Sequence, residues 1–377
     1  MTTGPTTGPT TRPAGPTTGW IDFNALALRP RGSGVQTYIR ELLAALPAVC
    51  GARLTAQVQV DAVGELPAAV TGVPHPVAAG ARRALAGLAL RTGHADVHHG
   101  LDADLPLRTG AATVATIHDL SVFDTPYAHS RGRAAGERWL VGRAVRRADA
   151  VLAVSAFTAE RVEALFGRSA TVTPLAPRPD LAPAGEAELA RVRAAYDLPP
   201  RCVLQLATIE PRKDVEGLAA ACRALDVPLL LAGSVAPGCR VPPGARHLGY
   251  VPDADLPGLY GAATVVGYCS HYEGFGLPAV EALACGAVLL TTAVGGIPEA
   301  CGDAAAVVAP GRVDLLTSAL RALLHDRDHR AALRERSVAR AGELTWTATA
   351  AATASAYRAL GVPALVSAAP GAPAVAG

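Results

Sequence analysis

The sequence lacks paired cysteines, a marked net charge and long hydrophobic runs. Its seven cysteines are odd in number and form no Cys-x-x-Cys pair, which favours reduced thiols over a disulfide framework or a structural zinc site. The formal net charge is only +2, so no overall attraction to nucleic acid is expected. No apolar run reaches the roughly 18 residues that span a bilayer, and the N terminus does not resemble a signal peptide. These absences predict a soluble cytoplasmic protein.

The two ends of the chain have low complexity. Residues 1–19 repeat a Thr-Thr-Gly-Pro unit, and residues 362–377 are rich in Pro, Gly and Ala. Such segments contain too few large apolar residues to form a packed core, so both are predicted to be flexible tails. The chemistry is therefore expected between them.

Short apolar runs alternate with helical patterns along the rest of the chain. This alternation predicts the α/β class with doubly wound parallel sheets, and 377 residues favour two such domains. The pattern fills residues 20–176, is interrupted by a Pro-rich linker at 177–199, and resumes over 200–345. Ligands of such sheets bind beyond the carboxyl ends of the strands, so the loops that lead into helices are the candidate sites.

One of these loops carries two glutamates. In "HYEGFGLPAVEALACG", Glu273 lies in a glycine-containing turn, and Glu281 falls in the first turn or so of the next helix. The helix start offers free N–H groups to an anion, and ionised carboxylates accept strong hydrogen bonds from sugar hydroxyls. We therefore predict that both glutamates bind one ligand. The alternative is that Glu273 only caps the helix and Glu281 is a solvated acid.

A pair of cations follows another predicted strand. In "LATIEPRKDVEG", Arg212 and Lys213 lie where a helix begins. Two cations are unfavourable at this positive end of the helix dipole, and a bound diphosphate would resolve the conflict. A surface charge pair balanced by Asp214 is the alternative.

Two loops of the first half are weaker candidates. His118 follows the predicted strand "ATVATI", where its ring reaches the cleft and can donate or accept a hydrogen bond at neutral pH. The glycine loop "RPRGSGV" includes Gly32 and Gly34 and precedes an amphipathic helix. A glycine loop alone is a weak signal of ligand binding.

These motifs together resemble the family 4 glycosyltransferases, which are retaining enzymes of the GT-B fold. "ATIEPRKD", "YEGFGLPAVEALACG" and "TTAVGGIPEA" resemble the C-terminal domain of that family, and "RGSGVQTYIRELLAALP", "TIHDLSVFDTPYAHS" and "AVSAFTAERV" resemble its N-terminal domain. The resemblance covers residues 20–360 and implies two Rossmann-like domains that face a cleft. Residues 346–361 resemble the closing helix that crosses back to the N-terminal domain.

The resemblance also implies a role for each matched residue. Arg212 and Lys213 would bind the diphosphate of a nucleotide sugar, Glu281 the ribose, and Glu273 the hydroxyls of the donor sugar. His118 would lie opposite that sugar.

Backbone contacts follow from the same resemblance. Phe275, Gly276 and Leu277 would contact the sugar and phosphates, and the chain at Tyr250 and Val251 would read the base. The loop with Gly32 and Gly34 would approach the phosphate or the acceptor, although Gln36 stands where relatives often have a basic residue.

The implied reaction is transfer of a sugar from GDP-mannose or a UDP-sugar to an unknown acceptor, which is a glycan, a lipid-linked molecule or a small molecule. His118, Glu273, Arg212 and Lys213 would form the catalytic set, with no metal and no cofactor. A sugar-nucleotide epimerase and a non-catalytic sugar-nucleotide binder stay open as alternatives.

Three Asp-x-Asp stretches, at 102–104, 253–255 and 326–328, are too common a pattern to indicate a metal site, and Asp253 is expected to cap a helix. The arginine-rich segment 131–147 could contact an anionic membrane or form an ordinary solvated face.

Overall fold

The computed structural model describes residues 19–30, 34–128 and 130–362, and these residues contain two separate parallel sheets. The strands of the first sheet are β1 (Trp20–Asn24), β2 (Arg53–Gln59), β3 (Val70–His75), β4 (Val97–Gly100), β5 (Ala112–Ile117), β6 (Ala150–Ala153) and β7 (Thr171–Val172). They follow the order β3-β2-β1-β4-β5-β6-β7, and all pair in parallel.

The second sheet repeats this plan. Its strands are β8 (Val203–Leu206), β9 (Leu229–Ala232), β10 (Ala245–Gly249), β11 (Val265–Tyr268), β12 (Leu289–Thr292) and β13 (Ala305–Val308). The order is β10-β9-β8-β11-β12-β13, again parallel throughout. In each sheet the strand order reverses once, between β1 and β4 and between β8 and β11. Ligands of doubly wound sheets bind at this switch point.

Helices connect the strands. They are α1 (Val35–Ala45), α2 (Gly80–Leu88), α3 (Ser121–Asp124), α4 (Arg131–Arg147), α5 (Ala156–Phe166), α6 (Glu186–Ala195), α7 (Val215–Ala224), α8 (Leu256–Ala262), α9 (Leu277–Ala284), α10 (Ile297–Cys301), α11 (Val313–His325), α12 (Arg327–Glu343) and α13 (Trp346–Ala359). The predicted alternation and the doubly wound parallel sheets are confirmed.

The segment between the sheets is partly helical. Helix α6 lies within the Pro-rich range 177–199 and packs against α8 of the second half through the fully buried Val192. A glycine allows this contact, because a Cβ at Gly258 would lie only 2.5 Å from the Val192 side chain. The predicted tails 1–19 and 362–377 lie outside the described residues except for Gly19 and Val362.

The last helix returns to the first half of the chain. Helix α13 packs on α1, and the Trp346 indole donates to the carbonyl of Pro177 at 3.0 Å. The Tyr357 hydroxyl lies 2.6 Å from His99 Nδ1 inside the first core. Burial lowers the pKa of His99 to about 3, so the ring is neutral. These buried contacts attach the C-terminal helix firmly to the first sheet.

Candidate functional site

The loop after β11 places Glu273 at the switch point of the second sheet. Glu273 is only 6% exposed, and the loop is tightly packed because a Cβ at Gly274 would lie 1.8 Å from the carbonyl oxygen of His118. Gly276 precedes α9 with φ of +101°, a left-handed conformation that glycine adopts without strain. The glycines of this motif therefore let the two halves of the chain approach each other at the loop.

The cation pair lies in the loop that follows β8, the neighbouring strand of the switch point. Pro211–Lys213 form a short 3-10 turn after β8, and Asp214 then caps α7 by accepting from the Gly217 amide at 3.3 Å. Lys213 Nζ lies 2.5 Å from Glu273 Oε1, and Arg212 Nη1 lies 3.3 Å from Glu273 Oε2. The two cations thus converge on Glu273.

Further groups hold this cluster. Ser270 Oγ donates to Glu273 Oε1 at 2.7 Å, Lys213 Nζ donates to the Tyr268 hydroxyl at 2.8 Å, and Arg212 Nη2 contacts Glu210 at 2.9 Å. Burial alone would raise the pKa of Glu273, but Lys213 and Arg212 outweigh it and lower that pKa. Glu273 is therefore an ionised, buried acceptor.

Glu281 occupies a different electrostatic environment. It is the fifth residue of α9 and is partly buried, and burial raises its pKa to about 7, although Arg178 acts in the opposite direction. Asp253 and Asp180 raise the pKa further, and Arg178 Nη1 itself lies 2.6 Å from Asp253 Oδ2. Asp253 was expected to cap a helix, but its side chain makes this ion pair and no capping bond. Glu281 is therefore far more readily protonated near neutral pH than Glu273.

His118 lies directly after β5. Its Nε2 donates to the Leu101 carbonyl at 2.8 Å, and the ring meets Tyr38 edge-on with the centroids 4.7 Å apart. With Nε2 engaged in this way, Nδ1 is the nitrogen left to accept from a ligand. Asp119 accepts from the Ser121 amide at 2.9 Å and so caps the following turn.

The remaining predicted site residues form two groups. The side chains of Val251, Phe275 and Leu277 are buried, so a ligand could contact these residues only through their backbone groups. The side chain of Tyr250, by contrast, is 64% exposed. Gly34 is the residue immediately before α1 and has φ of +63°. Gly32 lies outside the described residues.

A cavity of about 510 Å³ lies between the half that contains the first sheet and the half that contains the second sheet. Its wall includes His118 and Asp119 of the first half and Glu210 and Arg212 of the second. Within the described ranges, no group of three His, Cys, Asp or Glu side chains is arranged to hold a metal ion. The same ranges contain no helix with the length and apolar character needed to cross a membrane.

The sequence did not single out two groups that complete the site. Ser155 Oγ and Thr158 Oγ1, at the start of α5, donate to the Gly274 carbonyl at 2.5 and 3.3 Å. Arg178, the cation that acts on Glu281, comes from the predicted linker. Both interactions, the hydrogen bonds to Gly274 and the electrostatic effect of Arg178 on Glu281, join residues about 100 positions apart, so periodicity gives no sign of them.

Comparisons with known proteins agree along most of the chain. The Glycosyltransferase Family 4 model matches residues 32–177, and the model for Glycosyl transferases group 1 matches residues 188–340. The chain is similar to O-antigen chain mannosyltransferase B of Escherichia coli, with 34% identity over 285 residues that cover 70% of this chain and 74% of the relative.

Two further relatives are less completely covered. The chain is 30% identical over 282 residues to D-inositol 3-phosphate glycosyltransferase of Kribbella flavida, which covers 67% of this chain and 66% of the relative. It is 31% identical over 173 residues to the serotype-specific mannosyltransferase WbdA of Escherichia coli, of which it spans only 21%.

Solved structures show the same fold. Sucrose-phosphate synthase of Thermosynechococcus elongatus superposes with a TM-score of 0.75 at 20% identity, over 92% of this chain and 100% of that one. Anabaena Alr3699/HepE in complex with UDP-glucose gives a TM-score of 0.71 at 17% identity, over 91% and 99% of the two chains.

Proposed function

Because this chain belongs to the family 4 glycosyltransferases of the GT-B fold, we propose that it moves a sugar from a nucleotide-diphosphate donor to an acceptor hydroxyl. The observation that carries the proposal is the cluster of Arg212 and Lys213 around Glu273 at the switch point of the second sheet, open through Arg212 to the cavity. The names of the mannosyltransferase relatives favour mannose as the sugar, for which GDP-mannose is the candidate donor, and the UDP-glucose complex of Anabaena HepE keeps a UDP-sugar as the other candidate.

The donor is proposed to lie along the loops after β8 and β11. Arg212 and Lys213 meet the diphosphate, and Glu273, ionised and fixed by Ser270, accepts hydrogen bonds from the hydroxyls of the donor sugar. Glu281 accepts from the ribose.

The donor's other contacts come from the chain around Glu281. Asp253 raises the pKa of Glu281, the proposed ribose-binding residue, so the chain at Asp253 lies near the ribose. We therefore propose that Tyr250 and Val251, three and two residues earlier, meet the base. Backbone groups of Phe275, Gly276 and Leu277 contact the sugar and phosphates.

The proposed reaction retains the configuration at the anomeric carbon. The bond between that carbon and the diphosphate oxygen breaks, the acceptor oxygen bonds to the same face, and the acceptor proton passes to the departing phosphate. Arg212 and Lys213 stabilise the negative charge that develops on the diphosphate, which is the task that a metal performs in other transferases. His118 positions the sugar from the opposite wall through Nδ1.

A peripheral membrane contact through α4 belongs to the same proposal. Trp139 is 53% exposed on this helix, which favours an interfacial contact. Two of its arginines, however, are engaged within the protein: Arg138 donates to the Val122 carbonyl at 2.6 Å and Arg143 to the Leu105 carbonyl at 2.7 Å. Sedimentation with anionic and neutral vesicles tests this contact, and equal binding to both would count against it.

The test of the proposed function begins with thermal-shift screening of GDP-mannose and UDP-sugars, because a ligand at 100 times its Kd stabilises by roughly 2.7 kcal/mol. Transfer is then measured for the wild type, for the double variant Arg212→Ala/Lys213→Ala, and for Arg312→Ala, an exposed control in the same half. We expect the double variant to lose at least about 100-fold in kcat, since removal of one such preorganised donor costs on the order of 3 kcal/mol.

Circular dichroism establishes that the double variant is folded. Substantial turnover in a folded double variant would refute the proposed role of the cations. Isomerisation of the donor sugar without any acceptor would support the epimerase alternative, and tight donor binding without transfer to any acceptor would support the non-catalytic one. NMR of the product reports the anomeric configuration.

A further inference from the structure

The cavity extends from Arg212 to the switch point of the first sheet. There its wall is formed by Asp102, Ala103 and Asp104, which follow β4, and by Arg83 of α2. Neither Glu273 nor Glu281 is among the described residues that line the cavity, and the donor roles leave this wall unused. It is therefore the part of the proposed site that is available to the acceptor.

The side chains of this wall are held in one arrangement. Arg83 spans both acids, with Nη2 3.1 Å from Asp102 Oδ2 and Nη1 2.8 Å from Asp104 Oδ2. The Asp104 carbonyl accepts from Asn24 Nδ2 at 3.1 Å, and a Cβ at Gly100 would lie 2.6 Å from the same oxygen. Asp104 is buried, whereas Asp102 keeps about a third of its side chain accessible. Asp102 is thus the acid that a molecule in the cavity can reach.

The charges of the described cavity wall are nearly balanced. Four arginines and five acids line it, in full Arg29, Arg83, Arg133, Arg212, Asp102, Asp104, Asp119, Glu137 and Glu210. Three of the arginines already have carboxylate partners: Arg83 contacts two aspartates, Arg133 lies 2.7 Å from Glu137, and Arg212 contacts Glu210 and Glu273. Arg29 lies exposed and donates to the Ala78 carbonyl.

This balance does not suit an anionic acceptor. A phosphate bound at Arg83 would have to displace Asp102 or Asp104 from that arginine and would then face the displaced carboxylate at close range. Hydroxyl groups fit instead, because a carboxylate oxygen accepts from a hydroxyl while a guanidinium N–H donates to another one.

We propose that the acceptor is a neutral, hydroxyl-rich molecule such as a sugar unit of a glycan, bound through Asp102 and Arg83, and not a sugar or polyol phosphate. This inference rests on the proposed function and specifies its acceptor. It separates this chain from the reaction that the name of the inositol-phosphate relative describes.

The experiment uses acceptors in pairs that differ only in a phosphate: myo-inositol with D-inositol 3-phosphate, and mannose with mannose 6-phosphate, plus a mannose disaccharide. The full chain is assayed with the nucleotide sugar that stabilises it most. We expect kcat/KM for the neutral member of a productive pair to exceed that of its phosphorylated partner by about 10-fold or more. Preference for the phosphorylated member would overturn the inference, as would the absence of transfer to every neutral sugar while the donor is bound.

Variants then test the residues. Asp102→Asn should raise KM for the neutral acceptor about 10-fold with a smaller change in kcat, and should leave the Kd for the donor unchanged. Asp61→Asn, an exposed aspartate of the same half outside the cavity, should leave KM unchanged. An unaltered KM in Asp102→Asn would contradict the inference. A wild-type protein that binds no nucleotide sugar would instead contradict the proposed function, so the two failures are distinguishable.

Discussion

Replacement of Glu281 by glutamine should strengthen the fold and weaken nucleotide binding at the same pH. The glutamine removes the free-energy cost of ionising a carboxyl whose pKa rises from 4.5 to about 7 on burial. At 1.36 kcal/mol per pKa unit, this cost is at most roughly 3 kcal/mol, and partial solvent access reduces it. Because the folded state binds this proton more tightly, the cost accumulates as the pH rises from about 4.5 to about 7 and is complete above that range.

Binding should change in the opposite direction. Above pH 7 the ionised Glu281 can accept charge-assisted hydrogen bonds from ribose hydroxyls, each worth about 1.5 to 3 kcal/mol. The amide keeps one weaker acceptor, so we expect Glu281→Gln to weaken nucleoside diphosphate binding about 10- to 100-fold at pH 8. At pH 6 most Glu281 carboxyls are protonated and resemble the amide. The ratio of the two Kd values should therefore narrow.

Urea denaturation between pH 4.5 and 8 measures the stability difference, and titration calorimetry at pH 6 and 8 measures binding. Glu335→Gln, an exposed glutamate on α12, is the matched control and should change neither quantity. Equal nucleotide affinity of Glu281→Gln and wild type at pH 8 would refute the ribose contact. A stability difference independent of pH would refute the raised pKa.

Two further substitutions test contacts between the halves of the chain. Ser155→Ala removes the 2.5 Å hydrogen bond to the carbonyl of Gly274, the residue next to Glu273. We expect kcat to fall several-fold because Glu273 is then less precisely positioned, while the far-ultraviolet circular dichroism spectrum stays unchanged. Unchanged kinetics would contradict this positioning role. Tyr357→Phe leaves the buried His99 Nδ1 without its hydrogen-bond partner. The free energy of unfolding, measured by urea denaturation, should fall by about 1–3 kcal/mol, and the Kd for the donor should not change. A variant as stable as the wild type would disprove the importance of this contact.

The sequence was sufficient for the fold and for the placement of the candidate residues on loops. Strand–helix alternation predicts parallel sheets. The glycines around Glu273 predict a close approach of the backbone to a ligand, whereas the close approach that the structure shows at Gly274 is to the His118 carbonyl. Sequence order does not show which strands are neighbours, so the pairing of β8 with β11 that joins Lys213 to Glu273 is visible only in the structure. The same limit hid Ser155 and Arg178, whose partners are distant in the chain.

The structure also separates two cations that the sequence presented as equivalent. Lys213 is 7% exposed, and its ammonium group already donates to Tyr268 and Glu273, so one of its three protons is left for a ligand. Arg212 lines the cavity, and three of its five N–H groups donate to Tyr272, Glu273 and Glu210, which leaves two for a ligand. We therefore expect Arg212 to make most of the direct phosphate contact and Lys213 mainly to keep Glu273 ionised. If a diphosphate draws Arg212 away, Glu273 still retains Lys213 and Ser270, so donor binding need not leave a buried carboxylate unpaired.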